Sequence, residues 1–254
     1  MDTWVIVLGG PHGANGQALE LAGQVGGGAR TLTMGLGPHA STRGGAVRVP
    51  VDRGTAPTLL LGIFHALARD PDATVVVVPG NLELEASDWL LEAIDAAVGS
   101  AEDAVSTVRL VAAESPSCLT TRRWLVPMYW GGEPWPLVHS VFRGGEVEVD
   151  QMTRLGALAD TGILVAHGWT LATLIRERRY AWFQALRRSV WEPDHVDAAF
   201  SALETVDLFT DVLLPSLDQL RLVAARPHDD APEFVVLPSR SRSPAWGEEG
   251  PAVA

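Results

Sequence analysis

A glycine-rich loop follows the first apolar stretch of the chain. Residues 4–8 read Trp-Val-Ile-Val-Leu, and Gly9, Gly10, Gly13 and Gly16 come next. Glycines directly after a buried strand let backbone N–H groups approach phosphate oxygens closely. The spacing matches neither a dinucleotide-binding fingerprint nor its short-chain dehydrogenase variant, and a tight structural turn explains the same glycines. Both interpretations, a phosphate loop and a plain turn, stay open on the sequence.

A second segment of interest reads Arg53-Gly-Thr55-Ala-Pro57. Thr55 is a suitable N-cap, and Pro57 falls in the first turn, where a missing N–H costs nothing. Apolar residues then recur at helical spacing as far as Leu67. The segment therefore predicts the start of a helix, although any capped helix can begin in this way.

The chain contains no lysine, since all 19 of its basic residues are arginine. This excludes a short-chain dehydrogenase, whose chemistry needs a tyrosine and a lysine four residues apart. The seven histidines are scattered without metal-ligand spacing, and Cys118, the single cysteine, has no obvious base partner. We accordingly predict no metal site and assign no catalytic residue.

The elements that must position these segments alternate between strands and helices. Strands are predicted at residues 4–8, 29–34, 74–78, 108–112, 125–128, 137–142, 146–149, 162–165 and 234–237. Helices are predicted at residues 17–24, 55–70, 85–98, 171–186 with a break, 196–203 and 212–223. The rhythm predicts an α/β fold with a doubly wound, mostly parallel sheet flanked by helices. Ligands of such sheets bind beyond the carboxyl ends of the strands, where the glycine loop and Pro79-Gly-Asn81 lie.

The domain organisation is predicted to be simple. Residues 1–238 read as a single α/β domain with a core at 1–121 and a C-terminal subregion at 122–238, where shorter strands interrupt the rhythm. Residues 239–254, rich in Ser, Arg, Pro and Gly, are predicted to be a flexible tail.

Charge and hydropathy narrow the function classes. The net charge of −12 and the pI of about 4.9 argue against nucleic-acid binding, because an acidic surface repels a phosphate backbone. The same net charge and pI are compatible with a small nucleotide bound in a pocket of backbone amides and a few arginines. The N-terminus lacks the basic region of a signal peptide, and no apolar run reaches the length of a membrane span. A cytoplasmic protein without a membrane partner is therefore expected.

Residues 49–84 resemble the nucleotide-binding core of the sugar-nucleotide pyrophosphorylases, specifically the mannose-1-phosphate guanylyltransferase family. In that family a segment similar to residues 53–57 starts a helix whose end contacts the nucleotide base. The turn at residues 70–73, the valine-rich strand and the proline-containing loop also match in order and length. Weaker similarities at residues 156–166 and 206–213 extend the resemblance over most of residues 4–222.

The resemblance implies a nucleotide-diphospho-sugar transferase-like, Rossmann-like fold with two parts to its site. The implied nucleotide-binding residues are Gly9, Gly10, Arg53, Gly54, Thr55, Ala56 and Asn81. The implied sugar-binding residues, in a sugar-pocket subregion at 122–238, are Gly156, Asp160 and Thr161.

Departures from the family fall on its reactive positions. The arginine after the family's glycine loop and the lysine that faces the phosphates have no counterpart, and Asn81 stands where the family has a magnesium-binding aspartate. The Glu-Lys-Pro motif corresponds to Phe142-Arg143-Gly-Gly, and the Trp-Asn of the sugar strand corresponds to Ala159-Asp160. No late Trp-x-Asp motif supplies a second magnesium ligand. Because losing one positioned electrostatic group costs on the order of 10²–10³ in rate, we expect little or no nucleotidyl transfer.

Three functions follow as hypotheses. The favoured one is a mannose-1-phosphate guanylyltransferase-like pseudoenzyme that retains nucleotide-sugar binding. The second is an active enzyme that makes GDP-mannose and pyrophosphate from GTP and mannose 1-phosphate, with Mg²⁺ as cofactor and a site rebuilt from Arg30, Arg43, Arg48 or Arg53. The third is a non-catalytic protein-interaction module on the same fold, with a protein partner or a homo-oligomer as its assembly.

Overall fold

The computed structural model describes residues 2–10, 13–36, 45–114, 123–129, 135–143, 149–154 and 156–226 of the 254-residue chain. Nine strands are formed in this part of the chain. They are β1 (Thr3–Leu8), β2 (Thr31–Leu36), β3 (Ala46–Val49), β4 (Thr74–Pro79), β5 (Val108–Ala113), β6 (Arg123–Met128), β7 (Leu137–Arg143), β8 (Leu158–His167) and β9 (Leu220–Ala225).

Seven α-helices connect the described strands. They are α1 (Gly16–Gly26), α2 (Thr55–Leu67), α3 (Asp88–Asp103), α4 (Val149–Arg154), α5 (Gly168–Arg178), α6 (Tyr180–Ser189) and α7 (Val196–Ser201). Shorter helical turns include a π-helix at Leu208–Leu213 and a 3-10 helix at Leu214–Gln219. None of the described helices is long and apolar enough to cross a membrane.

The strands form one mixed sheet in the order β3-β2-β1-β4-β8-β5-β9-β7-β6. Pairings among β1, β2, β3 and β4, and between β5 and β9, are parallel. Strand β8 is antiparallel to both β4 and β5, and β6 and β7 also pair antiparallel. The predicted mostly parallel sheet is therefore corrected to a mixed sheet. The correction arises because β8 returns through the middle of the sheet, which a local pattern of apolar residues does not reveal.

Helices cover both faces of the sheet. Side chains of successive strand residues point to opposite faces, and the alternation along β1 separates two cores. Ile6 packs in a core formed with α2, α5 and α6, whereas Val5 and Val7 pack in a core formed with α1 and α3. The sheet edge at the carboxyl ends of β1 and β4 is thus held rigidly from both sides.

The predicted helix at residues 212–223 is wrong in its second half. Residues 208–219 form the π-helix and the 3-10 helix, and β9 follows as a strand parallel to β5. The predicted break in the helix at 171–186 is confirmed, since α5 ends at Arg178 and α6 begins at Tyr180. The predicted strand at 146–149 falls mostly, and that at 234–237 entirely, outside the described residues. The predicted tail also lies there, whereas the described strands of the core and the subregion belong to one sheet.

Arg109 is a buried cation in the interior of the fold. It lies on β5 at 2% exposure, and its guanidinium makes five hydrogen bonds at the end of α3. The acceptors are the hydroxyl and carbonyl oxygens of Ser100, the carbonyl of Ala104, and both oxygens of Thr107. Burial lowers the pKa of Arg109 to about 10, so it remains charged at neutral pH. A cation at a helix carboxyl end also suits the helix dipole, which indicates a structural role.

Candidate functional site

A cleft opens at the carboxyl edge of β1 and β4. Its volume is about 150 Å³, and its walls come from the two strand ends, the start of α2, the middle of β8, the start of β6 and the π-helix. Its polar lining consists of Thr55, Asn81, Arg123, Asp160 and Asp207. Three of these, Thr55, Asn81 and Asp160, are residues that the sequence implicated in ligand binding. Ligands of α/β sheets bind at this edge, so the cleft is the candidate site.

Asp160 is the most deeply buried polar residue of the cleft, at 1% exposure. Its Oδ1 accepts a hydrogen bond from the backbone N–H of Gly162 (2.8 Å), and its Oδ2 lies 2.9 Å from Nε of Arg123. Burial raises the pKa of Asp160, while the charge of Arg123 and the Gly162 N–H only partly offset that rise. The charge of Arg123 favours the ionised form of this buried carboxyl, whereas its burial favours the protonated form.

Gly162 sets the position of Asp160. Its φ of 75° is a backbone conformation that favours glycine, and an added Cβ would lie 3.2 Å from Cγ of Pro79. The register of β8 against β5 shifts between Leu110 and Ala112, and Gly162 lies in that irregularity. The bulge turns the segment from Asp160 to Gly162 toward the strand ends, as bulges near binding sites commonly do.

Arg123 pairs with one carboxylate of the cleft and acts electrostatically on a second. Its guanidinium carbon lies 4.1 Å from the centre of the Phe209 ring, which fixes the plane of the cation. Asp160 lies on one side, and the charge of Arg123 also acts on Asp207. Of the described residues that line the cleft, these three carry a charge, so the described lining has one cation and two anions.

Asp207 organises the wall opposite β8. Its Oδ1 accepts hydrogen bonds from the backbone N–H (2.8 Å) and the hydroxyl (2.9 Å) of Thr210, and its Oδ2 accepts one from Oγ1 of Thr55 (3.3 Å). Partial burial acts to raise the pKa of Asp207, but these hydrogen bonds and Arg123 outweigh it and lower the pKa. Asp207 is therefore ionised at neutral pH and half open to the cleft.

Arg53 and Gly54 join the start of α2 to the end of α7 and to the segment after it. Nε and Nη2 of Arg53 donate to the carbonyls of Phe200 (3.1 Å) and Ser201 (3.0 Å). Gly54, rather than the predicted Thr55, is the N-cap of α2. Its φ is 85°, and an added Cβ would lie 2.3 Å from the carbonyl oxygen of Val206. The described hydrogen bonds of Arg53 are thus made within the protein and not toward the cleft.

The remaining residues of the implied nucleotide site lie beside the cleft. Ala56 is buried at the start of α2, and its N–H donates to the carbonyl of Val206 (3.3 Å). The N–H of Gly9 donates to Met34 (2.9 Å), while Gly10 has open space around its Cα. These positions neither exclude nor require a ligand, so the nucleotide-binding assignment stays a prediction.

The glycine loop and the loop after β4 are bound to each other. Asn15 caps α1 by accepting a hydrogen bond from the N–H of Ala18 (2.8 Å), and its side-chain amide donates to the carbonyl of Leu82 (2.7 Å). Its backbone N–H donates to the carbonyl of Gly80 (2.7 Å). Asn81, between these two acceptors, is exposed and lines the cleft. The capped start of α1 therefore lies next to the cleft wall.

The implied sugar residues separate into two groups. Asp160 faces the cleft, whereas the hydroxyl of Thr161 donates to the carbonyl of Val111 (2.6 Å) and accepts from the N–H of Ile163, inside the sheet. Gly156 is exposed, with a φ of 69°, ahead of β8. Sequence reasoning missed Arg123, which has no local signal. It noted the segment that contains Asp207 only as part of a weak resemblance.

The cleft has the chemistry of a site for hydroxyl groups. Carboxylate, amide and hydroxyl groups project into a lining that is otherwise mostly apolar, and its one described cation is already paired. Within the described part of the chain, no group of three or more His, Cys, Asp or Glu side chains could hold a metal ion.

No protein-family model matches the chain, and no curated protein matches its sequence. Solved structures do match it. One is a mannose-1-phosphate geranyltransferase from Thermus thermophilus, with a TM-score of 0.71 and 17% identity over 89% of this chain and 75% of that one. Another is a mannose-6-phosphate isomerase from Helicobacter pylori, with a TM-score of 0.60 and 11% identity over 89% of this chain and 98% of that one. At these identities the two similarities show a shared fold alone.

Proposed function

We propose that this protein binds a nucleotide sugar of the GDP-mannose type, with the sugar ring in the cleft, and that nucleotidyl transfer is impaired or lost. The observation that carries the proposal is the convergence of Thr55, Asn81, Asp160 and Asp207 on one cleft of about 150 Å³ at the strand ends. These oxygen and amide groups can accept and donate hydrogen bonds to a ring of hydroxyls. The names of both similar structures include the words mannose phosphate, which supports the choice of sugar.

The nucleotide end of the ligand is assigned to the glycine loop. Gly9 and Gly10 lie beside the capped start of α1, and Asn15 ties that start to the loop that carries Asn81. Backbone N–H groups at a helix start suit phosphate oxygens. A nucleotide sugar could then run from the glycine loop into the cleft without leaving the sheet edge.

Loss of transfer follows from the charges. Nucleotidyl transfer requires cations that neutralise charge developing on the reacting phosphate. Among the described lining residues Arg123 is the one cation, and it faces two carboxylates. Asn81 is a neutral residue where a hard cation would need a carboxylate. We therefore expect Mg²⁺ as a cofactor only if nucleotidyl transfer is detected.

The arginines that could rebuild an active site are engaged elsewhere. Arg30 pairs with Asp2 (2.7 Å) and Arg48 with Asp197 (2.5 Å), while Arg53 binds backbone carbonyls. Arg43 lies outside the described residues. These partners favour the binding protein over the active enzyme, which remains the alternative hypothesis together with the protein-interaction module.

Calorimetric titration of GDP-mannose, with GDP alone and Mg²⁺ alone as controls, tests the proposal. We expect micromolar binding of GDP-mannose that is tighter than binding of GDP. Asn81→Ala should weaken it about two- to tenfold, the value of one or two lost hydrogen bonds. Asp95→Asn, an exposed substitution on α3 away from the cleft, is the matched control and should bind as the unmodified protein does.

Two outcomes would contradict the proposal. If no heat is detected at millimolar GDP-mannose, the nucleotide-sugar function fails and the interaction module becomes the leading hypothesis. Pyrophosphate release from GTP and mannose 1-phosphate, lost in Arg53→Ala, would instead support the rebuilt enzyme.

A further inference from the structure

The carboxylate of Asp160 is fixed in the cleft from two directions. Along β8 the residues Asp160 and Leu164 face Ala112 and Leu110 of β5, so four steps on one strand oppose two on the other. This extra length forms the bulge, and Gly162 within it donates its N–H to Oδ1. One carboxylate oxygen is thereby used by the backbone, and the other is left for a cation.

Arg123 is the cation beside that second oxygen. Its Nε lies 2.9 Å from Oδ2 of Asp160, its plane rests on the Phe209 ring, and 27% of its side chain is exposed. On the opposite wall, the charge of Arg123 also acts to lower the pKa of Asp207. When both carboxyls are ionised, the charges of these three side chains sum to one negative charge.

This arrangement treats neutral and anionic ligands differently. A phosphate that approached the Nη groups of Arg123 would meet a cation whose charge Asp160 already offsets, and it would also lie near the carboxyl of Asp207. A sugar hydroxyl can donate to carboxylate oxygens while the ion pair stays intact. Neutral rings are therefore favoured by the same contacts that disfavour phosphates.

We infer that Asp160 is a specificity-determining residue, an internal counter-ion that reserves the cleft for an uncharged sugar ring and excludes a phosphate group. The inference rests on the proposed nucleotide-sugar function and narrows it, since the phosphates of the ligand must then lie outside the cleft. Asp160 acts through Arg123, because removing its negative charge frees the cation for an anionic ligand.

Two ligands with the same ring and different charge test this. Methyl α-mannoside and mannose 1-phosphate are titrated to tens of millimolar into isotopically labelled protein, and binding is followed by amide chemical shifts. The unmodified protein should prefer the methyl glycoside. Asp160→Asn, nearly isosteric, should shift the preference toward the phosphate about 10- to 100-fold, the range of a charge-assisted hydrogen bond.

Two further variants separate the counter-ion role from a general change in charge. Asp207→Asn removes one negative charge but keeps the Asp160–Arg123 pair, so it should shift the preference much less. The double variant Asp160→Asn with Arg123→Gln lacks both partners and should lose the gain in phosphate affinity. It also leaves no unpaired buried charge, so it serves if Asp160→Asn folds poorly.

The outcomes distinguish this inference from the function beneath it. If the unmodified protein binds mannose 1-phosphate at least as tightly as the methyl glycoside, the counter-ion role is overturned while nucleotide-sugar binding stands. If mannose 1-phosphate binds only Asp160→Asn and the methyl glycoside binds neither protein, the role of Asp160 is supported. The same result contradicts a sugar in the cleft. If neither ligand binds any variant, the counter-ion role fails, and the calorimetric titration of GDP-mannose decides whether nucleotide-sugar binding stands.

Discussion

Arg109 and Arg123 mark two regions of the sheet in which a cation is held in opposite ways. Arg109, at the end of α3, has its donors taken by carbonyl and hydroxyl oxygens, with no carboxylate among its described hydrogen-bond partners. Arg123, at the cleft, has one carboxylate contact at 2.9 Å and an aromatic ring beneath it. The first arrangement fixes the backbone and hydroxyl groups at the end of α3, and the second leaves donors facing a cavity. The acceptors of an arginine, more than its burial, therefore separate a structural cation from a candidate functional one.

The largest effect is expected from Arg109→Met. The substitution removes the donor of five hydrogen bonds to Ser100, Ala104 and Thr107 and leaves the buried Ser100 without these donors, so the free energy of unfolding should fall by about 3 kcal/mol or more. Urea denaturation measures it. The affinity of the folded fraction for GDP-mannose should not change. A change in that affinity would mean that Arg109 is not a purely structural cation.

Arg123→Met should lower the free energy of unfolding by about 2 kcal/mol near pH 7.5, because it leaves Asp160 buried without its cation. The pKa of Asp160 is already raised, and losing Arg123 raises it further. A carboxyl with a raised pKa binds its proton more tightly in the folded state, so stability falls as pH rises through that pKa. The loss of unfolding free energy in Arg123→Met should therefore be smaller at about pH 5 than near pH 7.5. Urea denaturation at the two pH values measures it. An equal loss at both would mean that Asp160 is not the group left unpaired.

Arg53→Ala should have a smaller effect. Its two described donors bind the carbonyls of Phe200 and Ser201, so we expect a loss of about 1 kcal/mol and unchanged GDP-mannose affinity. Thermal unfolding and calorimetry on the same sample measure both. A weaker affinity without a loss of stability would instead favour the nucleotide contact predicted from the sequence.

The smallest effect is expected from Arg48→Met. Arg48 pairs with Asp197 at the surface, and both side chains are well exposed, so the pair should contribute less than about 0.5 kcal/mol. Its contribution should be the same at the two pH values used for Arg123→Met, which makes it the matched control. A pH-dependent loss here would show that the effect at Arg123 is a general one of charge.

Local patterns predicted the elements better than their directions. The apolar run at residues 74–78 and the capped start near Thr55 gave β4 and α2 within a residue or so at each start. The strand at 162–165 was also expected, but nothing in its own residues reveals that it runs antiparallel between β4 and β5. Direction is set by partners far away in the chain, which a single sequence does not display.

The site was predictable where it lies on such elements. Thr55 starts a helix, Asn81 follows a strand end and Asp160 lies near the start of a strand, and all three line the cleft. Arg123 could not be found in this way, because its partner is distant in sequence and depends on the bulge at Gly162. The apolar residues of the 212–223 segment fit a helix and a strand equally well. The end of the segment forms β9 because it pairs with β5 in the sheet.

The central position of β8 has a consequence for how the chain must be made. Strands β4 and β5 are neighbours in sequence but do not touch in the sheet, because β8 lies between them. A ribosome therefore has to release residues 158–167 before the middle of the sheet can close, and the earlier strands wait with open edges. We expect a fragment that stops at residue 121 to aggregate rather than fold, however complete its own pattern of strands and helices looks.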